Sequence, residues 1–239
     1  LCLIARPIGG GHNGRMFEPS SVPLRRLVWI ALALSLGAAV SLGITRFAYG
    51  LLLPVMREDL DWGYTLAGAM NTANAGGYLL GALATPWLMR RFGAARVLLA
   101  GALLASGFMA ASGFFTAAGP PLLQRLLAGV ASALVFVAGG LLAARLGAQA
   151  PQHAGLLLGL YYGGTGWGIS ASALAVPGLL RAAADVPHGW SWAWWGLALL
   201  CLLATLVLWW PASTLQKSEL LAHTGQAPAA HLIHEPLPW

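Results

Sequence analysis

"SLGITRFAYGLLLPVM" (residues 41–56) places an arginine, Arg46, inside one of the most apolar stretches of the chain. The surrounding run, 27–55, exceeds the roughly 20 apolar residues that a membrane crossing needs. An arginine near the centre of such a helix costs roughly 2.5–3.5 kcal/mol on insertion scales, so its presence needs a reason. Either its long stem snorkels to an interface or its guanidinium faces a cavity within a bundle. The cavity is the better reading, and Arg125 poses the same question further along.

The rest of the chain supports a membrane setting. Of its 239 residues, 58% are hydrophobic and only 8% charged, where a soluble domain carries about a quarter charged residues. The formal charge of +6 is spread thinly through loops, which marks membrane topology and gives no nucleic-acid-binding patch. Six segments read as spans: 27–55, 65–89, 95–117, 122–146, 154–180 and 190–210. The fold class is therefore an all-α membrane protein of six transmembrane helices. Residues 1–26 form an N-terminal tail, with 1–15 read as non-native sequence upstream of a start at Met16. Residues 211–239 are polar and aperiodic, a cytoplasmic tail or a truncated linker.

Loop charge orients the bundle. With the N-terminus inside, Arg25, Arg26, Arg90, Arg91, Arg96, Arg145 and Lys217 face the cytoplasm, and only Arg57 and Arg181 face out. Both termini are then cytoplasmic in a multi-pass protein of the plasma membrane. Tryptophans flank the sixth segment, and a rise of about 1.5 Å per residue sets Trp192 and Trp210 about 27 Å apart, close to a hydrocarbon thickness. Small residues recur every fourth position at Ala73, Gly77, Gly81 and Thr85, at Gly155, Gly159 and Gly163, and at Gly164, Gly168 and Ser172. Such stripes let helix backbones approach closely where no hydrophobic effect drives packing.

Catalysis and metal chemistry find little support. Cys2 and Cys201 lie in unrelated settings, and the His231/His234 pair lacks a third ligand. A six-helix intramembrane serine protease would need a G-x-S-G stretch and a histidine within a span. The sequences around Ser106 and Ser112 lack the first glycine, and His153 and His188 border loops. No enzyme activity, cofactor or metal site is expected. No Asp or Glu lies within a predicted span, so a carboxylate proton relay is not expected either. Two intramembrane arginines without counter-charges leave an anionic ligand as one natural partner; Glu58 or Asp59 curling back to Arg46 is the other.

Helical spacing groups the polar residues by face. Arg46, Tyr49, Gly50 and Leu53 align, as do Asn71, Asn74 and Tyr78. Arg125, Gly129, Ser132 and Phe136 form a third set, and Tyr161, Thr165, Gly168 and Ser172 a fourth. Four helices thus surround a wet cavity while the third and sixth face lipid. The asparagines fit structural hydrogen bonds between helices equally well.

These residues carry a resemblance. The order of "RFAYG" (46–50) and "AGAMNTANAGGYLLG" (67–81), followed by "GLYYGGTGWGISASALAVPGLL" and "WSWAWWGLALL", resembles YbfB/YjiJ-type transporters of the major facilitator superfamily over residues 27–210. Arg125 and Gly129 match the R-x-x-x-G of the family's fourth helix, whose arginine faces the central cavity. The loop with Arg90, Arg91, Gly93 and Arg96 resembles the family's gating loop, with Arg90 where that pattern has an acid and Pro86 where it has a glycine. The resemblance implies a secondary transporter of twelve helices in two halves, of which 27–210 corresponds to the N-terminal half. The expected function is transport of a small polar, or given the arginines anionic, solute. The substrate path would be lined by Arg46, Tyr49, Asn71, Asn74, Tyr78, Arg125, Tyr161 and Thr165. The partners would be the lipid bilayer, the solute, and a C-terminal six-helix half or a second copy. The alternative is a truncated or non-transporting six-helix scaffold.

Overall fold

The computed structural model describes residues 22–115 and 119–223, with side chains omitted at 119, 120 and 217–223. The start at Met16, Cys2, the side chain of Lys217, and the His231/His234 pair lie outside what is described. Six helical rods run alternately up and down among the described residues. The first joins α1 (Leu24–Ala38), a π-helical segment (Ala39–Ile44) and α2 (Phe47–Asp59). The others are α3 (Tyr64–Phe92), α4 (Ala94–Ser112), α5 (Gly119–Ala148), α6 (Ala154–Ala182) and α7 (Trp190–His223).

Four rods are long and apolar enough to cross a membrane: Leu24–Asp59, Ala94–Ser112, Pro121–Ala148 and Trp190–Gln216. The other two, α3 and α6, have 29 residues each and therefore the length. Their hydropathy is lowered by their glycine, asparagine, threonine and tyrosine residues, some packed against neighbours and some exposed. Helix α7 also continues past Pro211 to His223, although the composition turns polar there. Proline holds a helical φ angle, and inside a helix it costs a hydrogen bond and crowds the carbonyl four residues back.

Two apolar clusters fill the bundle. One, at the end carrying residue 24, gathers Leu27, Ile30, Leu34, Leu98, Leu142, Leu146, Leu157 and Leu208. The other, at the opposite end, gathers Leu52, Met56, Trp62, Met109, Trp190 and Trp194. Trp190 and Trp194 are core residues here; their indole N–H groups donate to Asp59 Oδ2 at 2.5 Å and to the Met56 sulfur at 3.3 Å. Trp192 and Trp209 are exposed, as interfacial anchors should be. Arg25, Arg26, Arg90, Arg91, Arg96 and Arg145 lie at the first end, and Arg57 and Arg181 at the second.

Two glycine seams hold the rods at backbone contact. On α3, Gly77 lies so close to α5 that an added Cβ would overlap the Leu126 carbonyl, and at Gly81 it would stand 2.7 Å from the Val130 oxygen. Gly129 reciprocates against the Asn74 carbonyl. In the second seam Gly164 and Gly168 of α6 abut the carbonyls of Ser35 and Ala39, while a Cβ at Gly43 would meet the Gly168 Cα at 2.6 Å. Such approaches are open only to glycine and strengthen van der Waals packing between helices.

Candidate functional site

The site begins with the π-helical segment. A π turn diverts the Thr45 N–H to the Val40 carbonyl at 3.1 Å, so the Thr45 hydroxyl takes the carbonyl of Ser41 instead. The same hydroxyl pairs with Ser132 of α5 at 3.0 Å. One extra residue turns everything that follows by about 100° around the axis. Immediately after it come Arg46, exposed, and Tyr49, buried.

Arg46, Tyr49, Gly50 and Leu53 share one face, as spacing predicts, and line an open groove of about 500 Å³ between α2 and α3. Asn71, exposed on α3, forms part of the opposite wall, with Tyr64, Ala67 and Gly68. Tyr49 is a hub. Its hydroxyl donates to the Ala67 carbonyl at 3.0 Å, and its ring carries the Arg125 guanidinium 4.3 Å from the centroid. Arg125 is 3% exposed, and its Nε and one terminal nitrogen have no hydrogen-bond acceptor among the described residues.

Arg46 forms no ion pair among the described residues. Asp59 pairs with His188 instead, at 2.5 Å, near the mouth of the α6–α7 loop. Tyr162, absent from the residues expected from sequence, packs against Phe136, with ring centroids 5.4 Å apart. Its ring stands edge-on to Tyr161 at 5.0 Å, and it is exposed on the same side of the bundle. The doublet Tyr161–Tyr162 was the available signal, since consecutive helical residues point about 100° apart and only one can face the core.

Other expected site residues sit further back. The Asn74 amide is buried and donates to the Arg125 carbonyl at 3.0 Å, clamping α3 to α5. The Tyr161 hydroxyl is buried and donates to the Phe136 carbonyl at 2.9 Å, with the ring against Gly139. Thr165 is half-buried, its carbonyl facing Gly43. The structure thus brings Arg46, Tyr49 and Asn71 to one groove, with Arg125 against the Tyr49 ring, while Asn74 and Tyr161 make hydrogen bonds to α5.

The loop between α3 and α4 is a single-residue joint. Gly93 has φ 85°, ψ 149°, closes α3 through a bond to the Met89 carbonyl, and opens α4. A side chain there would be strained. Arg90, Arg91 and Arg96 are exposed around it, with Arg91 over the Phe92 ring.

A bundle of long apolar rods, with one arginine at an open groove and a second buried against the Tyr49 ring, defines a multi-pass membrane protein. The chain belongs to the family described as "Uncharacterised MFS-type transporter YbfB", whose model matches residues 38–239. It is therefore a membrane transporter of the major facilitator type, set in lipid and acting on a solute. No curated protein and no solved structure matches it significantly.

Proposed function

We propose that this chain forms the N-terminal six-helix half of a major facilitator-type secondary transporter that moves a small polar, anionic solute. All six rods then cross the membrane, α3 and α6 included. The basic end, with both termini, faces the cytoplasm of a cell bounded by its plasma membrane. Arg46, Tyr49, Asn71, Tyr78, Arg125 and Thr165 line or electrically shape the path; Asn74 and Tyr161 brace it. Arg90, Arg91, Gly93 and Arg96 form the inner gating loop. A C-terminal half, or a second copy, completes the cavity. The exposed glycines of α3 and α6 (Gly68, Gly76, Gly155, Gly159 and Gly163), which have no neighbour within 4 Å, support such a partner.

One observation carries the anionic reading: Arg46 lines the groove and forms no ion pair among the described residues, while Arg125, against the Tyr49 ring, has two guanidinium nitrogens with no acceptor among them. A guanidinium fork matches a carboxylate or phosphate in a way that few other partners do. Arg46→Ala, made in the complete two-half transporter and assayed in vesicles, should abolish solute uptake while leaving insertion and yield unchanged. Uptake at the wild-type rate would remove Arg46 from the path.

A further inference from the structure

The chemistry of the groove narrows the class of anion. This step rests on the anionic reading above and refines it. Ten residues line the groove, and its wall is mainly apolar: Phe47, Leu51, Leu53 and Ala67, with the ring of Tyr64 at its edge. Phe47 and Tyr64 are 46% and 78% exposed, so their rings are open to an occupant.

The polar inventory is short. Tyr49 commits its hydroxyl to Ala67 and its ring face to Arg125. Arg57 covers the Tyr64 ring at 4.4 Å, which engages one face of that ring. The remaining donors at the inner part of the groove are the Arg46 guanidinium and the Asn71 amide. A sugar brings many hydroxyl groups that would be left without partners against Phe47, Leu51 and Leu53, and each buried unmet group is costly. A compact multivalent anion needs several cations in contact, and Arg46 alone lines the groove while Arg125 acts from behind Tyr49.

We infer that the groove binds an amphipathic organic monoanion, with one carboxylate on Arg46 and Asn71 and an apolar or aromatic body along Phe47, Leu53 and Tyr64. Arg125 raises the local potential that holds the carboxylate without touching it. The arrangement matches the general make-up of ligand sites, mostly apolar with a few placed polar groups that fix orientation.

The experiment is binding by the complete two-half transporter in lipid nanodiscs, with benzoate, benzamide, inorganic phosphate and glucose as probes, followed by thermal shift and calorimetry. Benzoate should bind at least about tenfold more tightly than the other three. Arg46→Gln should weaken benzoate at least about tenfold, Arg46→Lys should restore part of it, and Phe47→Ala should weaken it several-fold. Phe47 is exposed, so its truncation leaves the core intact and keeps the test open if an arginine variant misfolds. Tighter binding of phosphate than benzoate, still dependent on Arg46, would overturn the amphipathic class and leave the anionic reading standing. Equal binding of benzamide and benzoate, preference for glucose, or no binding of any probe would overturn both.

Discussion

Helix α6 carries two runs of small residues at four-residue spacing, and they live in opposite surroundings. Gly164, Gly168 and Ser172 press on the backbone of the first rod, with Ser172 donating to the Gly168 carbonyl at 2.7 Å and lying 3.4 Å from that of Gly43. Gly155, Gly159 and Gly163 meet nothing within 4 Å. The two stripes are offset by one residue, about 100° around the helix. A small-residue stripe therefore marks a surface able to accept a backbone; whether one is there depends on how the neighbouring rod is turned.

The largest effect should separate the two stripes. Gly164→Ala forces a methyl into the Ser35 carbonyl, and Gly77→Ala does the same at Leu126; both neighbours are helix backbone and cannot swing away. Overpacking of this kind should cost about 3 kcal/mol or more. Reversible unfolding in mixed micelles would measure it, and a loss below about 1 kcal/mol at both positions would mean that the seams are looser than they stand.

The two arginines make a second contrast. Arg46 is exposed beside an open groove, whereas Arg125 is enclosed and lies over the face of Tyr49. A buried charge without a counter-ion is costly, and replacing it by an apolar side chain of similar length often stabilises a protein. Arg125→Met should raise stability by about 2 kcal/mol while lowering transport in the complete transporter. A fall in stability would show that the contact with Tyr49 outweighs the desolvation of the guanidinium.

Much of this was legible before any coordinates. Six helical rods stand where the sequence reads as six segments, four of them long and apolar enough to cross a membrane, and the face of Arg46, Tyr49, Gly50 and Leu53 follows from spacing alone. Both seams rest on stripes visible in the sequence, at Gly77/Gly81 and Gly164/Gly168. What spacing could not supply was depth. Asn71 and Asn74 stand one turn apart, yet one faces the groove and the other the α5 backbone. The π-helical segment had no visible signal, because it arises where Gly43 must approach Gly168 and Thr45 must reach Ser132. Without that extra residue the register of Arg46 relative to α3 could not be read.

Tyr161 and Tyr162 test depth directly. Tyr161→Phe removes the hydrogen bond to the Phe136 carbonyl at 2.9 Å and a longer contact of 3.5 Å with that of Val135, and keeps the ring contacts with Phe136 and Tyr162. Its cost should be about 1 kcal/mol, the usual net value of a single buried hydrogen bond. Transport by that variant in the complete transporter should stay within about twofold of wild type, a difference of less than about 0.5 kcal/mol in barrier. Lost transport at unchanged stability would move the Tyr161 hydroxyl from the wall into the solute path.

The smallest effect belongs to the open stripe. Gly159→Ala adds a methyl that meets no atom within 4 Å, and alanine is a better helix former than glycine by roughly 0.5–1 kcal/mol. The isolated chain should therefore become slightly more stable, the reverse of Gly164→Ala on the same helix. In the two-half transporter proposed above, the open stripe would meet a second helix bundle. If the glycines of that stripe serve a moving interface, the same methyl should slow transport while it stabilises the single half. Measuring both in one variant separates packing within the half from packing between halves. A stability loss in the isolated chain would mean that this face is already occupied by a second copy.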